Sequence, residues 1–493
     1  MTLLKADPGK SAEPEADLSL SDLTPPSTAE LSAGEPPRAL LLADPPALVP
    51  ADPFSASLEY PPLLPGPAEP RTFLASMSFS PSEPPSFDSV RTLAELREVR
   101  TLLSTFSPTE LADLTERWNR APSIPWNEIA CELVAENRLN PPEASRVYAL
   151  LGIAQYDALI LSARGKEQFA RHAPAQLDPT LPMLTPPEAL SAYPSHHGAV
   201  AAASRGILAH FFPLAESDLD KLFHQHLVTR LVSGVSLPSD LGEGVAIGSH
   251  VASEIRRYCE ARPIPSSESP IGSPMKGGWT EDSRGALHPR WGTLEPLLLG
   301  HPAQFRPGPP PELDSAVFRE ALDEVRALAL SRTPEQLAIA ERWAGGPGTP
   351  TPPGQWNVIA RSLIERYEME DVDAARVFAY LNAALFDAGI SCWETKYTYG
   401  LLRPSQADPA ISTPVGLPPF PAYTSGHATF SGAAAEVLGY FFPQERERLN
   451  AMAAEAALSR VYGGIHYRFD GEQGLEVGRR CGALAIKRAK TEE

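Results

Sequence analysis

The sequence predicts an all-α protein made of two tandem-duplicated helical bundles behind a disordered, proline-rich N-terminus. Three observations carry that expectation. Apolar residues fall at helical spacing wherever they are regular, strand-like alternation is absent, and the chain repeats itself at a shift of 230 residues.

Residues 1–90 hold 18 prolines among Ser, Ala and Glu with little apolar periodicity. Such text buries too little to offset the entropy of ordering, so a disordered segment is expected. Residues 91–260 form the first copy. From Trp126 to Pro213 it matches the stretch Trp356 to Pro443 at 28 of 88 positions without a gap. Trp126-Asn127 falls on Trp356-Asn357, Asp157-Ala158 on Asp387-Ala388, and Phe211-Phe212-Pro213 on Phe441-Phe442-Pro443. Residues 261–311, rich in Pro, Gly and Ser, read as a connector that packs on the surface through Trp279 and Trp291. Residues 312–493 form the second copy. There "SAVFREALDEVRALAL" and "TPEQLAIAERWA" are helical in spacing, the second with Thr333 and Glu335 as start signals. "DVDAARVFAYLNAALFDAGISCWETKYTYG" places Val377, Tyr380, Leu381, Ala384 and Leu385 on one face. Four or five helices are expected in each copy.

The 493 residues carry a net charge of −19 and a pI of about 5.1, which argues against a nucleic-acid or anionic-membrane surface. Cys131, Cys259, Cys392 and Cys481 have no metal-ligand spacing and read as buried thiols. No apolar run is long enough to span a bilayer, and no secretory signal stands at the N-terminus. The expectation is a soluble, cytoplasmic protein without a transmembrane anchor. Nothing in the sequence fixes its oligomeric state.

Three polar clusters follow one another in the second copy: Lys396 with Arg403-Pro404, Ser425-Gly426-His427, and Ser459-Arg460 followed by His466 and Asp470. Singly each is ordinary: a solvated face, a capped helix start, a stray histidine. Together they supply three cations, a hydroxyl, helix N-terminal N–H groups and two imidazoles, the parts of a cage for a tetrahedral oxyanion. Arginine forks match its oxygens, and lysine adds a point charge. Gly426 lets the anion approach the N–H groups that open the following helix. Asp470, four residues after His466, is spaced to orient that imidazole or to hold the local turn.

The pattern K-x6-RP, SGH, SR-x5-H-x3-D resembles the superfamily that joins type-2 phosphatidic acid phosphatases with vanadium-dependent haloperoxidases. Only Thr424 departs, standing where the family usually has proline. The resemblance implies an all-α fold in which Lys396, Arg403, Ser425, Gly426 and Arg460 hold the oxyanion and His427 is the acid–base residue. It makes His466 either a phosphohistidine nucleophile or the vanadium ligand. Vanadate is then the cofactor of a haloperoxidase acting on hydrogen peroxide and halide; a phosphatase acting on a phosphoester needs none. Five-coordinate vanadate has the shape of a phosphoryl group in transfer, so one cage suits both. Trp393 and Phe420 resemble the halide-pocket positions of fungal-type chloroperoxidases, and "HYRFD" and Ala428 resemble that branch too. The haloperoxidase reading is therefore preferred, with a soluble acid phosphatase as the alternative and an oxyanion-binding scaffold as the non-enzymatic one.

The first copy keeps Lys166, Ser195, His197, Arg230 and Asp240. It puts Ala173, His196 and Ser236 where the second has Arg403, Gly426 and His466, and Ala163 and Leu190 where it has Trp393 and Phe420. Lacking the central histidine, it is expected to be inert and to serve as structural support.

Overall fold

The computed structural model describes residues 71–75, 79–185, 191–265 and 275–492. The first copy contributes α1 (Val90–Leu103), α2 (Pro108–Trp118), α3 (Ser123–Glu136), α4 (Pro141–Gln168), α5 (His196–Phe211), α6 (Glu216–Val232) and α7 (Pro238–Ala261). The second contributes α8 (Ala316–Ser331), α9 (Pro334–Arg342), α10 (Thr351–Arg366), α11 (Asp371–Tyr399), α12 (Gly426–Phe441), α13 (Arg446–Tyr462) and α14 (Arg468–Ala489). Among the described residues the regular structure is helical, as expected. Each copy has seven of these helices rather than four or five, two of them ahead of the gap-free repeat.

Local signals set the boundaries. Ser107 with Glu110, Asn140 with Glu143 and Thr333 with Gln336 close reciprocal caps at helix starts. Helix α11 stops at Gly400, which takes the left-handed conformation (φ 62°) and returns its N–H to the Lys396 carbonyl.

The two longest helices, α4 and α11, pack on each other at the centre and are buried over most of their length. Equivalent residues meet where the copies join: the Asn127 side-chain amide donates to Asn357 Oδ1 at 2.8 Å, and Asn357 in turn bonds Asn382. A residue touching its own repeat is the mark of an isologous contact, so the copies face each other like the halves of a symmetric dimer.

Each copy also has an N-terminal arm. Asp157 in α4 accepts the backbone N–H groups of Phe73, Leu74 and Ala75. Asp387 in α11 accepts those of Leu297, Leu298 and Leu299 at 2.7–2.8 Å. This corrects two expected boundaries. The folded chain starts before residue 90, since Phe73 and Ala75 are buried, whereas residues 1–70 lie outside the described residues. Residues 275–311 form an arm of the second copy, with Trp291 in the core, rather than a surface connector. No helix among the described residues is long and apolar enough to cross a membrane.

Candidate functional site

The site lies where α12 starts against the start of α14. Two glycines bring these helices together: a Cβ on Gly474 would stand 2.8 Å from the Ser425 carbonyl oxygen, and one on Gly478 2.1 Å from that of Thr429. Glycine is required for that approach, which also lets the Ser425 N–H donate to the Asp470 carbonyl at 3.0 Å.

Around that junction the structure gathers the three clusters. Lys396 projects from the last turn of α11, and its ammonium donates to the carbonyls of Pro421, Ala422 and Thr424. Arg403 is not on the same helix, since Gly400 ends it; it stands before a single turn at Pro404–Ala407. Its guanidinium donates to the carbonyls of Phe420 (3.0 Å) and Ile465 (2.8 Å) and to His466 Nε2 (2.9 Å). Arg460, in the last turn of α13, donates to Ser459 Oγ at 2.9 Å and to the Ala340 carbonyl. Ser425 caps α12, and Gly426 opens it.

Asp470 lies in the first turn of α14, and His466 just precedes that helix. One carboxylate oxygen, Asp470 Oδ2, accepts both from the Tyr467 N–H (3.1 Å) and from His466 Nδ1 (2.8 Å). The tautomer follows from the partners. Asp470 takes a proton from Nδ1, and Arg403 can only donate, so Nε2 carries the lone pair. His427 is held differently: its Nε2 lies 3.1 Å from the Ala344 carbonyl, which can only accept, leaving Nδ1 as the basic atom. It is the partly exposed histidine of the two.

Burial governs the charges. It lowers both imidazoles well below their usual value, with Arg460 adding to the effect on His427 and Arg403 and Lys396 on His466. It lowers Lys396 to about 7, Arg403 to about 10 and Arg460 to about 9. It raises Asp470, while Lys396 and Arg403 pull that carboxyl back down. Lys396 and Arg403 beside the Asp470 carboxylate, with Arg460 near the two histidines, leave an excess of buried positive charge, an arrangement that favours an anion.

An oxyanion fits the residues present. The buried Arg403 Nη2 has no protein partner and neither has Asp470 Oδ1, so one strong donor beside His466 remains unused. Space is left at Gly426, where a Cβ would meet only Trp393, at 3.6 and 3.9 Å. The two rings singled out in the sequence lie side by side: Trp393 and Phe420 are 5.0 Å apart, with the Lys396 ammonium 5.8 and 5.0 Å from them. Sequence reasoning missed the carbonyls of Ala340 and Ala344, from α9 and just beyond it, because a backbone oxygen leaves no mark on residue type.

In the first copy Ser236 Oγ stands 3.5 Å from Ser195 Oγ, and Lys166 donates to the Ser191 carbonyl at 2.5 Å. A cation absent from the aligned position comes from two residues earlier: Arg171 lies 3.1 Å from Asp240 and bonds Ser239, which donates to Glu95. Asp240, the counterpart of Asp470, is therefore paired with an arginine rather than with an imidazole. Leu190 falls outside the described residues.

At the seam between copies His196, His197 and Asp371 bring ligand-type atoms within 4.8 Å of one another. They do not fit a cation. The Trp126 indole, only a donor, bonds His226 Nδ1 at 3.1 Å, so His226 Nε2 bears a proton and gives it to His197 Nδ1 at 2.9 Å. The His197 proton then sits on Nε2, the atom a metal would need, and burial holds both rings neutral.

A helical bundle that gathers two histidines with the buried Lys396, Arg403 and Arg460 sets the class of site, and comparison with known proteins shows what it resembles. Residues 376–492 match the sequence profile described as the PAP2 superfamily. The vanadium chloroperoxidase of Curvularia inaequalis is 33% identical over 165 residues, a match that covers 27% of each chain. The aligned stretch thus spans about a quarter of that relative's length. Among solved structures, a bacterial vanadium-dependent iodoperoxidase superposes with a TM-score of 0.60 at 24% identity, over 73% of this chain and 94% of its own. An apo-type bacterial vanadium-dependent chloroperoxidase gives 0.54 at 15% identity, over 72% and 95%. The sequence match to the PAP2 superfamily thus falls on the second bundle, and the solved structures share the helical fold.

Proposed function

We propose that the protein is a vanadium-dependent haloperoxidase, and that the cage of the second bundle holds orthovanadate and turns over hydrogen peroxide and a halide. The observation that carries the reading is the line Arg403–His466–Asp470, which presents a buried imidazole lone pair to a site of excess positive charge. Lys396, Arg403 and Arg460 would neutralise the anion, Ser425 and Gly426 would lie against it at the mouth of α12, and His466 Nε2 would bond the metal. Bound vanadate supplies the electrophilic centre at which peroxide is activated toward halide.

The remaining work falls to the chain itself. Asp470 keeps the His466 proton on Nδ1. With the anion bound, Arg403 would offer it the donor now on His466 Nε2 together with the unpartnered Nη2. His427, fixed through Nε2 by the Ala344 carbonyl, takes and returns a proton at Nδ1 on the partly open side. Trp393 and Phe420 exclude water on one side and leave a halide poorly solvated beside Lys396. Both rings are specific to this copy, which favours halide chemistry over phosphoester hydrolysis. The first copy, with Ser236 at the central position, gives structural support.

Substituting His427→Ala tests the division of roles: turnover should vanish while the protein still binds vanadate. Unchanged turnover would overturn the role given to His427.

A further inference from the structure

We infer that Tyr397 is a positioning residue for the aromatic wall, acting on Trp393 through one shared carbonyl oxygen, and that it thereby tunes which halide is oxidised; the inference rests on the haloperoxidase reading. The Trp393 indole N–H donates to the Leu287 carbonyl at 3.2 Å, and the Tyr397 hydroxyl donates to the same oxygen at 2.8 Å. The two side chains are four residues apart on α11, so they lie on one helix face. Both are buried, and the carbonyl that joins them belongs to the N-terminal arm of the second copy.

That arm is fastened at Leu287 and three residues before it. The Leu287 N–H donates to the Pro419 carbonyl at 2.9 Å, and Arg284 donates to the Leu417 carbonyl at 2.8 Å. Pro419 precedes Phe420, the other ring of the wall. Trp279 packs edge-on against the Tyr397 ring at 6.4 Å. The arm thus ties the loop bearing Phe420 to the helix bearing Trp393, and Tyr397 is the side chain that pins the shared carbonyl.

The degenerate copy lacks the device as a unit, since the positions of Trp393 and Tyr397 are held there by Ala163 and Glu167. The Tyr397 hydroxyl bonds the Leu287 carbonyl rather than a side chain of the cage. Its effect passes through the plane of the Trp393 ring, whose edge lies over Gly426. Loss of its hydroxyl leaves one bond where there were two and lets that ring shift. Bromide holds its water more tightly than iodide, so it depends more on a well-placed dry wall.

The test uses the full chain loaded with orthovanadate and compares wild type with Tyr397→Phe, which keeps the ring and removes the hydroxyl. Values of kcat/KM for bromide and for iodide are measured at saturating peroxide, with vanadate affinity and thermal unfolding measured alongside. The bromide-to-iodide ratio is expected to fall about fivefold, the size of one neutral hydrogen bond, mainly through KM, with vanadate affinity unchanged. Equal losses for both halides, or an unchanged ratio, would overturn the inference. Should Tyr397→Phe not fold, Trp393→Phe, which also removes a donor to Leu287, must shift the ratio in the same direction. A wild-type protein that binds vanadate but oxidises neither halide would sink the haloperoxidase reading itself, a different result from an active enzyme with an indifferent Tyr397.

Discussion

Arg403 donates to His466 Nε2 at 2.9 Å, so the guanidinium covers the lone pair that the site is built to present. The same arginine has a second nitrogen, Nη2, buried without a protein partner. An incoming oxyanion can therefore take two donors from one residue, in the forked geometry that lysine cannot reproduce. Substituting Arg403→Lys should weaken vanadate or phosphate binding by about 10- to 100-fold, the worth of one or two charge-assisted bonds. Titration calorimetry on the two proteins checks this.

Asp470 acts through His466. In Asp470→Asn the amide can offer an N–H to Nδ1, which favours the wrong tautomer and moves the imidazole proton onto Nε2. Turnover should fall about 10- to 100-fold, with a smaller loss of vanadate affinity. Steady-state kinetics on enzyme saturated with vanadate separates the two effects.

Burial brings Lys396 down to about 7. Its ammonium is needed to hold an anion, so the lysine is charged below that pH and loses its proton above it. Binding should weaken as pH rises from 6 to 8, approaching tenfold per unit above about 7. The anion's own ionisation contributes in wild type and in Lys396→Met alike, so the difference between the two curves isolates the lysine. Parallel curves would contradict the assignment.

Asp157 and Asp387 hold equivalent arms, yet only the second arm reaches the aromatic wall. Replacing either by alanine strands backbone donors and should cost about 3 kcal/mol of stability, read by chemical denaturation. Only Asp387→Ala should also lower turnover at a temperature where both variants remain folded.

The first copy predicts a stoichiometry. With Ser236 in place of the central histidine and Asp240 paired to Arg171, the whole chain should take up one vanadate, not two. Metal analysis after gel filtration gives the ratio, and Arg230→Ala should leave it at one.

Much of this was legible in the sequence, and the reason is chemical. A cage for an oxyanion is made of side chains whose types are rare together, so Lys396, Arg403, Arg460, His427, His466 and Asp470 stood out by identity and order. What stayed hidden is made of backbone. The Leu287, Ala340 and Ala344 carbonyls fix Trp393, Arg460 and His427, and any residue could supply them. Arg403 follows Lys396 at a helical spacing, but Gly400 ends the helix between them. The arms escaped notice because "TFLA" and "PLLLG" share a docking partner rather than a sequence. Arg171 was missed because an ungapped alignment looks only at residue 173.

The most direct measurement is a paired assay on purified protein stripped of bound anions. One arm adds orthovanadate, hydrogen peroxide and bromide or iodide with a halogenation indicator; the other adds a phosphomonoester without vanadate. The account predicts halogenation that depends on vanadate and disappears in His466→Ala. Phosphoester hydrolysis blocked by vanadate, with no halogenation of the indicator, would contradict it and leave Trp393 and Phe420 as core residues of a phosphatase.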